Sequence, residues 1–91
     1  MFFHNPRIVC QNGFSISVQG FRGSYSKRNV SGELTHVECG FPSSKPKTQA
    51  LRELAESPHE YTESVYGWVP VEVVLAELEA HGGVVEGEMP S

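Results

Sequence analysis

Histidine and cysteine are the residue types in this chain that could bind a transition metal or supply a nucleophile. A four-ligand zinc site could be assembled from His4, Cys10, His36 and Cys39. In an extended strand, however, positions three apart point to opposite faces, so His36 and Cys39 could share a metal only across a bulge. No third residue can be nominated to orient a Cys/His nucleophilic pair. We therefore predict no metal ligand, no cofactor and no catalytic residue.

The spacing motifs of common enzyme classes are absent from the sequence. It contains no GxxxxGK[ST] phosphate loop, no GxSxG nucleophile elbow, no HExxH motif and no paired CxxC motif. This pattern predicts a protein that is not an enzyme and that acts by binding. The first residues lack the features of a secretory signal, so we expect a cytoplasmic protein. In that reducing compartment, Cys10 and Cys39 are expected to be buried free thiols.

Charge is divided unequally along the 91 residues. Residues 1–47 contain six lysines and arginines against two glutamates, whereas residues 48–91 contain one arginine against nine glutamates. The first range therefore carries a net charge of +4 and the second −8, within a total of −4. This division indicates either two regions that attract each other within the fold or two surfaces that suit different partners. No apolar run approaches the roughly 18 residues that a membrane span needs.

Aromatic and basic residues alternate in one segment of the first half. Phe21, Arg22, Tyr25, Lys27 and Arg28 are residue types that stack on bases and contact the phosphates of single-stranded nucleic acid. The isoelectric point of about 5.5 argues against this function, because nucleic-acid-binding domains are usually basic. A nucleic-acid-binding module is therefore the alternative interpretation, beside a solvated loop whose aromatic side chains pack on the sheet.

The acidic half contains a predicted helix with one apolar stripe, formed by Val71, Val74, Leu75 and Leu78. The rest of its surface is predicted to bind protein through Glu72, Val73, Ala76, Glu77, Glu79 and Ala80. Small apolar residues rimmed by glutamates suit a basic or mixed protein surface, including a second copy of the chain in a two-fold dimer. The competing interpretation is a solvated face on which alanine is only a good helix former.

Hydrophobic periodicity predicts the strands of the sheet. Residues 7–19 form a β-hairpin in which Asn12-Gly13 supplies the positive φ angles of a tight turn, and apolar residues then alternate with polar ones from Phe14. Residues 20–32 form a long loop, and residues 33–41 form a third strand that Pro42 stops.

Two helices complete the predicted fold. The first begins at Thr48 and ends before Ser57-Pro58, and the second runs from Pro70 to Gly82-Gly83. Residues 64–69 are either an edge strand or an ordered loop, in which Tyr66 and Trp68 anchor the second helix or form a binding hot spot. The fold class is α+β: a small antiparallel sheet, made of the N-terminal hairpin and a third strand, with two helices packed on one face. Residues 1–83 form the domain, and residues 84–91 form a flexible tail.

Three stretches carry a resemblance to a known group of proteins. These are Asn12-Gly13-Phe14, the segment VECGFPS at 37–43, and the segment VYGWVPVEVV at 65–74 that leads to His81-Gly82-Gly83. Together they resemble small uncharacterised accessory proteins encoded by tailed bacteriophages and prophages, over about residues 8–83. That group more often has an aliphatic residue in place of Cys39, which argues against thiol chemistry. The resemblance implies a protein that acts in the host cytoplasm by binding a host or phage protein, as inhibitors of defence systems such as CRISPR do.

Overall fold

Alternating apolar side chains build the buried face of an antiparallel sheet. The structure, a computed structural model, describes residues 5–91. In this range a six-stranded antiparallel sheet packs against two helices, so the predicted α+β class is confirmed. The elements are β1 (Ile8–Cys10), β2 (Ser15–Gln19), β3 (Lys27–Arg28), β4 (Leu34–Gly40), α1 (Gln49–Arg52), β5 (Val65–Pro70), α2 (Val71–Ala80) and β6 (Val84–Glu86).

The predicted N-terminal hairpin joins β1 to β2 through a three-residue turn. Gly13 has a φ of 91°, and its N–H donates to the carbonyl of Cys10 at 2.9 Å. Asn12 is not in the positive-φ region, contrary to the prediction for the Asn-Gly pair. Its side-chain oxygen instead accepts from the N–H of Phe14 at 3.0 Å. The hairpin therefore has a three-residue loop, in which a turn is followed by one glycine in the left-handed conformation.

Strand β4 lies at the centre of the sheet. Cys39 of β4 pairs with Val18 of β2 on one edge and with Tyr66 of β5 on the other. β3 pairs with β4 on the same edge as β2, so residues 20–26 leave the sheet between these two strands. The predicted loop at 20–32 thus contains a short strand, which a two-residue pairing is too brief to reveal by alternation.

Strand β5 contains a bulge and confirms the edge-strand interpretation of residues 64–69. Val69 pairs with Val37 and Tyr66 with Cys39, so Gly67 and Trp68 together lie opposite a single residue of β4. Trp68 has a φ of 48°, which is uncommon for a bulky residue. The bulge breaks the two-residue alternation and separates the environment of Trp68 from that of Tyr66.

Helix α1 is shorter than predicted. Thr48 caps it by accepting from the N–H of Leu51, but the helix ends at Arg52 rather than near Ser57. The chain beyond it turns towards β5, where Ala55 bridges to Tyr66 and the N–H of Glu56 donates to the carbonyl of Val65. Pairing with the edge of β5 thus replaces the last helical turns.

Helix α2 is rotated relative to its predicted orientation. Its buried positions are Val74, Glu77 and Leu78, followed by His81 at the end of the helix, whereas Leu75 is 50% exposed. Of the predicted stripe, Val74 and Leu78 are buried and Val71 packs against the core, so Leu75 is the position that departs from the prediction. Glu77, expected on the exposed binding face, is fully buried, so this part of the predicted site is wrong.

The last residues are not the flexible tail that the sequence predicts. β6 extends the sheet by pairing with β1, and Met89 packs against the core. Arg28 donates to the carbonyl of Ser91 at 3.1 Å, and Gly87 has a φ of 81° where the chain passes β1. The free edge of β1 orders these residues, and a pairing partner so distant in sequence leaves no local signal. In the described range, no helix is long and apolar enough to cross a membrane.

Candidate functional site

The cysteines and histidines of the first half do not form a reactive site in the described chain. Cys10 and Cys39 are free thiols buried in the core, while His36 lies on the other face of β4 and contacts Thr35. Burial raises the pKa of the Cys39 thiol to about 12, to which neighbouring carboxylates contribute. No three metal-ligating side chains come together among residues 5–91. His4, the remaining residue of the hypothetical zinc site, lies outside the described residues.

The Glu77 carboxylate is the centre of a buried polar cluster. One oxygen accepts from the N–H of Lys47 at 2.7 Å and from His81 Nε2 at 2.7 Å. The other accepts from the N–H and the hydroxyl of Thr48, at 2.9 and 2.7 Å. Burial by itself would raise the pKa of Glu77, but these hydrogen bonds outweigh it and hold the pKa below its ordinary value. The carboxylate is therefore ionised and fully paired.

His81 connects this carboxylate to the N-terminal hairpin. Its Nδ1 lies 3.0 Å from Nδ2 of Asn12, which donates because the amide oxygen already accepts from Phe14. The imidazole ring stacks on the Phe14 ring with a centroid distance of 3.7 Å and an interplanar angle of 7°. The polar cluster of Asn12, Lys47, Thr48, Glu77 and His81 thus joins three distant segments, which is a structural role. The i, i+4 spacing of Glu77 and His81 was the sequence signal for it.

The remainder of the predicted protein-binding face is divided. Glu72, Ala76, Glu79 and Ala80 are exposed on α2, whereas Val73 is half-buried against the core. The exposed Leu75, which the sequence assigned to the core, lies along a mainly apolar groove of about 460 Å³ between α2 and the C-terminal residues. The acidic face of α2, defined as Glu72, Ala76, Glu79 and Ala80, therefore remains a candidate contact surface.

Four of the five predicted nucleic-acid-binding residues are divided between two pockets. Phe21, Arg22 and Arg28 line a pocket of about 380 Å³, and Tyr25 lines a different one. The Arg28 guanidinium donates to three backbone carbonyls, those of Gly32 at 2.7 Å, Gly20 at 3.3 Å and Ser91 at 3.1 Å. Arg28 therefore holds these segments together, while Lys27, its neighbour on β3, is exposed.

An exposed aromatic pair occupies the bulge of β5. The rings of Tyr25 and Trp68 are stacked, with centroids 4.7 Å apart and an interplanar angle of 21°. They remain 45% and 48% exposed, respectively. Two backbone contacts position them: the N–H of Trp68 donates to the Tyr25 carbonyl at 3.0 Å, and the N–H of Tyr25 donates to Glu38 Oε1 at 2.9 Å. The sequence did not predict this pair, because its members belong to segments 43 residues apart.

Tyr66 differs from Trp68, although only Gly67 separates them. Tyr66 is fully buried, and its hydroxyl donates to the Tyr61 carbonyl at 2.8 Å. Tyr66 is therefore a core residue of the strand that leads into α2, which agrees with the predicted anchoring of the helix start for Tyr66 but not for Trp68. Trp68 points outwards, as the alternative prediction of a binding hot spot requires.

A pocket of about 350 Å³ lies beside the aromatic pair. Tyr25, Leu54, Glu56, Gly67 and Trp68 line it. A Cβ atom on Gly67 would lie 3.3 Å from the Tyr25 ring and 3.6 Å from Glu56 Oε2, so the glycine separates the ring from the carboxylate. The pocket thus combines aromatic faces with a negative charge.

No family model matches the chain, and neither a curated protein nor a solved structure matches it. The candidate site therefore rests on the chain's own residues. Two surfaces are exposed to solvent and contain residue types suited to binding. They are the aromatic pair with its pocket and the acidic face of α2.

Proposed function

We propose that the protein is a non-catalytic binding protein, that its partner is another protein, and that Trp68 and Tyr25 form the centre of the contact. The exposed stacked pair is the observation that supports this function. Tryptophan and tyrosine dominate the binding energy of many protein–protein interfaces, because their large rigid rings bury much area with little loss of conformational entropy.

The backbone at Trp68 gives a second reason to assign binding to this pair. The left-handed conformation costs a residue with a side chain about 1–2 kcal/mol, a cost that glycine avoids. The bulge nevertheless holds a tryptophan there and directs it to the surface. Strain and exposure of a large aromatic residue reduce stability, and such features concentrate at binding sites.

The resemblance to phage accessory proteins favours a host or phage protein as the partner. Inhibition of a host defence system such as CRISPR is one form that this function takes. The net charge of −8 over residues 48–91 favours a partner with a basic surface. Glu72 and Glu79 of the acidic face of α2 contribute to that charge.

Affinity capture from a bacterial host lysate, followed by mass spectrometry, tests the proposal. We expect the wild-type protein to retain a specific partner, and Trp68→Ala and Tyr25→Ala to lose it while keeping a folded spectrum. Val30→Ala is the matched control, because Val30 is a fully exposed apolar residue away from the pair. Undiminished capture by both aromatic variants would refute the assignment.

Charge reversal of Glu72 and Glu79 examines the acidic face of α2 in the same assay. Loss of the partner in this double variant, with capture retained by Trp68→Ala, would move the contact to the helix. Sedimentation of the same preparation tests the predicted two-fold dimer.

Nucleic-acid binding is the alternative function, and it has less support. The carboxylates of Glu38 and Glu56 flank the aromatic pair and would repel phosphates, and Arg28 already serves three backbone carbonyls. Salt-dependent retention of a single-stranded oligonucleotide, lost in Tyr25→Ala, would favour this function over protein binding.

A further inference from the structure

The pocket beside the aromatic pair has the composition of a site for a positively charged planar group. We propose that it binds the side chain of an arginine, and that this arginine belongs to the partner protein. The inference rests on the proposed function, since it specifies which residue of the partner the aromatic pair receives. It adds the chemistry of the ligand and the role of Glu56.

The aromatic rings supply one part of this recognition. The two rings are stacked on each other, and Tyr25 and Trp68 stay 45% and 48% exposed, so part of the ring surface is accessible to another group. Aromatic faces carry negative electrostatic potential and attract cations within about 6 Å. A guanidinium is planar and weakly hydrated, so it stacks on such a face more readily than a lysine ammonium does.

The Glu56 carboxylate supplies the second part. Glu56 is exposed on the pocket wall, and within residues 5–91 it takes part in no ion pair. A guanidinium donates through a fork of N–H groups that matches a carboxylate. Because Gly67 has no side chain, a ligand can approach its backbone between the Tyr25 ring and Glu56 Oε2.

The surrounding charge favours the same ligand. Glu38 lies next to the pair, with one carboxylate oxygen fixed by the Tyr25 N–H. The only basic residue of the 48–91 range is Arg52, which donates to the carbonyls of Pro46 and Lys47 instead. The carboxylates of Glu38 and Glu56 therefore lie beside the aromatic pair, and they favour a cation over a phosphate.

Titration of the isotope-labelled protein with two tripeptides tests the proposal. The probes are acetyl-Gly-Arg-Gly-amide and its citrulline analogue, which keeps the shape of arginine and lacks its charge. The chain has one tryptophan, so its indole N–H signal reports on this pocket without ambiguity. We expect saturable shifts with the arginine peptide and at least about five-fold weaker binding of the citrulline peptide, the combined effect of a cation–π contact and an exposed ion pair.

Three variants locate the effect. Glu56→Gln should lower the affinity for the arginine peptide by about two- to five-fold. Glu60 is an exposed glutamate outside the pocket, so Glu60→Gln should leave this affinity unchanged. Gly67→Ala keeps the charge but narrows the pocket, and it should also weaken binding. The dispersion of the amide spectrum checks that each variant is folded. Equal affinity for the two peptides, or an unchanged affinity of Glu56→Gln for the arginine peptide, would overturn the proposal.

The same variants separate this inference from the proposed function. If the partner is lost in Trp68→Ala but kept in Glu56→Gln, with no preference for arginine over citrulline, the protein-binding function stands and the arginine site falls. A stronger response of the indole signal to an oligothymidylate than to the arginine peptide would overturn both.

Discussion

Replacing Glu77 by glutamine should destabilise the protein strongly, although the change removes only a charge and keeps the shape. Each carboxylate oxygen accepts two hydrogen bonds, so the amide nitrogen of glutamine must face donors on one side. His81 can relieve this only by moving its proton to Nδ1, where Asn12 already donates. The conflict then passes to Asn12, whose amide oxygen is needed by Phe14.

The expected loss follows from the number of donors left unpaired. Each buried donor without a partner costs about 1–3 kcal/mol, and a hydrogen bond to a charged acceptor contributes about 1.5–3 kcal/mol. Two donors, the Lys47 N–H and His81 Nε2–H, face the amide nitrogen in one orientation. We therefore expect a loss of about 3–5 kcal/mol in the free energy of unfolding, or about 12 °C or more in Tm for a domain of this size.

At acidic pH, the difference in unfolding free energy between the wild type and Glu77→Gln should disappear. The hydrogen bonds lower the pKa of Glu77 in the folded state, so its stabilisation is complete above the unfolded pKa of about 4.3. As the pH falls below this value and through the lower folded pKa, the wild-type carboxyl takes up a proton and the stabilisation is lost. The difference in unfolding free energy between wild type and Glu77→Gln should therefore be full at neutral pH and shrink below about pH 4.

Urea denaturation followed by circular dichroism, at neutral and acidic pH, measures both effects. Glu79→Gln, an exposed glutamate on the same helix, is the control and should change stability by less than about 0.5 kcal/mol. A neutral-pH loss below about 1 kcal/mol for Glu77→Gln, or a difference independent of pH, would show that the polar cluster does not hold the fold.

Three further predictions concern the backbone and the core. Trp68→Gly should be more stable than Trp68→Ala by about 1 kcal/mol in urea denaturation, because glycine adopts the φ of 48° without strain; equal stabilities would contradict the left-handed bulge. Cys39 should react with a disulfide reagent at least about 100-fold more slowly in the native protein than in denaturant, since burial raises its pKa to about 12; rapid native labelling would argue against its burial. Gly87→Ala should lose about 1–3 kcal/mol, because φ is 81° and the new Cβ would lie 2.9 Å from the Arg7 carbonyl oxygen. Gly40→Ala, with open space and an ordinary φ, is its control, and equal effects would place the strain elsewhere.

The patterns of neighbouring residues predicted the buried face of the hairpin and several boundaries of strands and helices. The apolar residues at 14, 16 and 18 are buried as their alternation requires, and β4 and the start of α2 lie where the sequence placed them. Prolines 42 and 70 mark boundaries because proline restricts both its own backbone and that of its neighbours. These features depend on a few consecutive residues.

The orientation of α2 could not be predicted from hydrophobic periodicity. A glutamate counts as polar and leucine as apolar, so periodicity places Glu77 outside and Leu75 inside. The structure reverses them, because the unpaired N–H groups at residues 47 and 48 supply partners for a buried carboxylate. Those partners are 29 and 30 residues away in sequence, and only the three-dimensional fold shows them.

The contact between Tyr25 and Trp68 was missed for a related reason, although each was considered separately as a binding residue. Tyr25 was assigned to a basic loop and Trp68 to the approach of a helix, and neither segment indicates that the two rings touch. A bulge in β5 brings them together, and a bulge has no periodicity of its own. The partner and the phage context stay predictions that rest on resemblance and charge.

The segments that meet in the polar cluster are far apart in sequence, which bears on when the cluster can form during folding. The β1–β2 hairpin closes a short loop and can form within microseconds, whereas Asn12 and His81 are 69 residues apart in sequence. The cluster needs the hairpin turn, the cap of α1 and the end of α2 at once, so it assembles only after the slow, non-local pairing of the sheet. Contacts that form after the rate-limiting step affect the rate of unfolding more than the rate of folding. We therefore expect Glu77→Gln to raise the rate of unfolding more than it lowers the rate of folding.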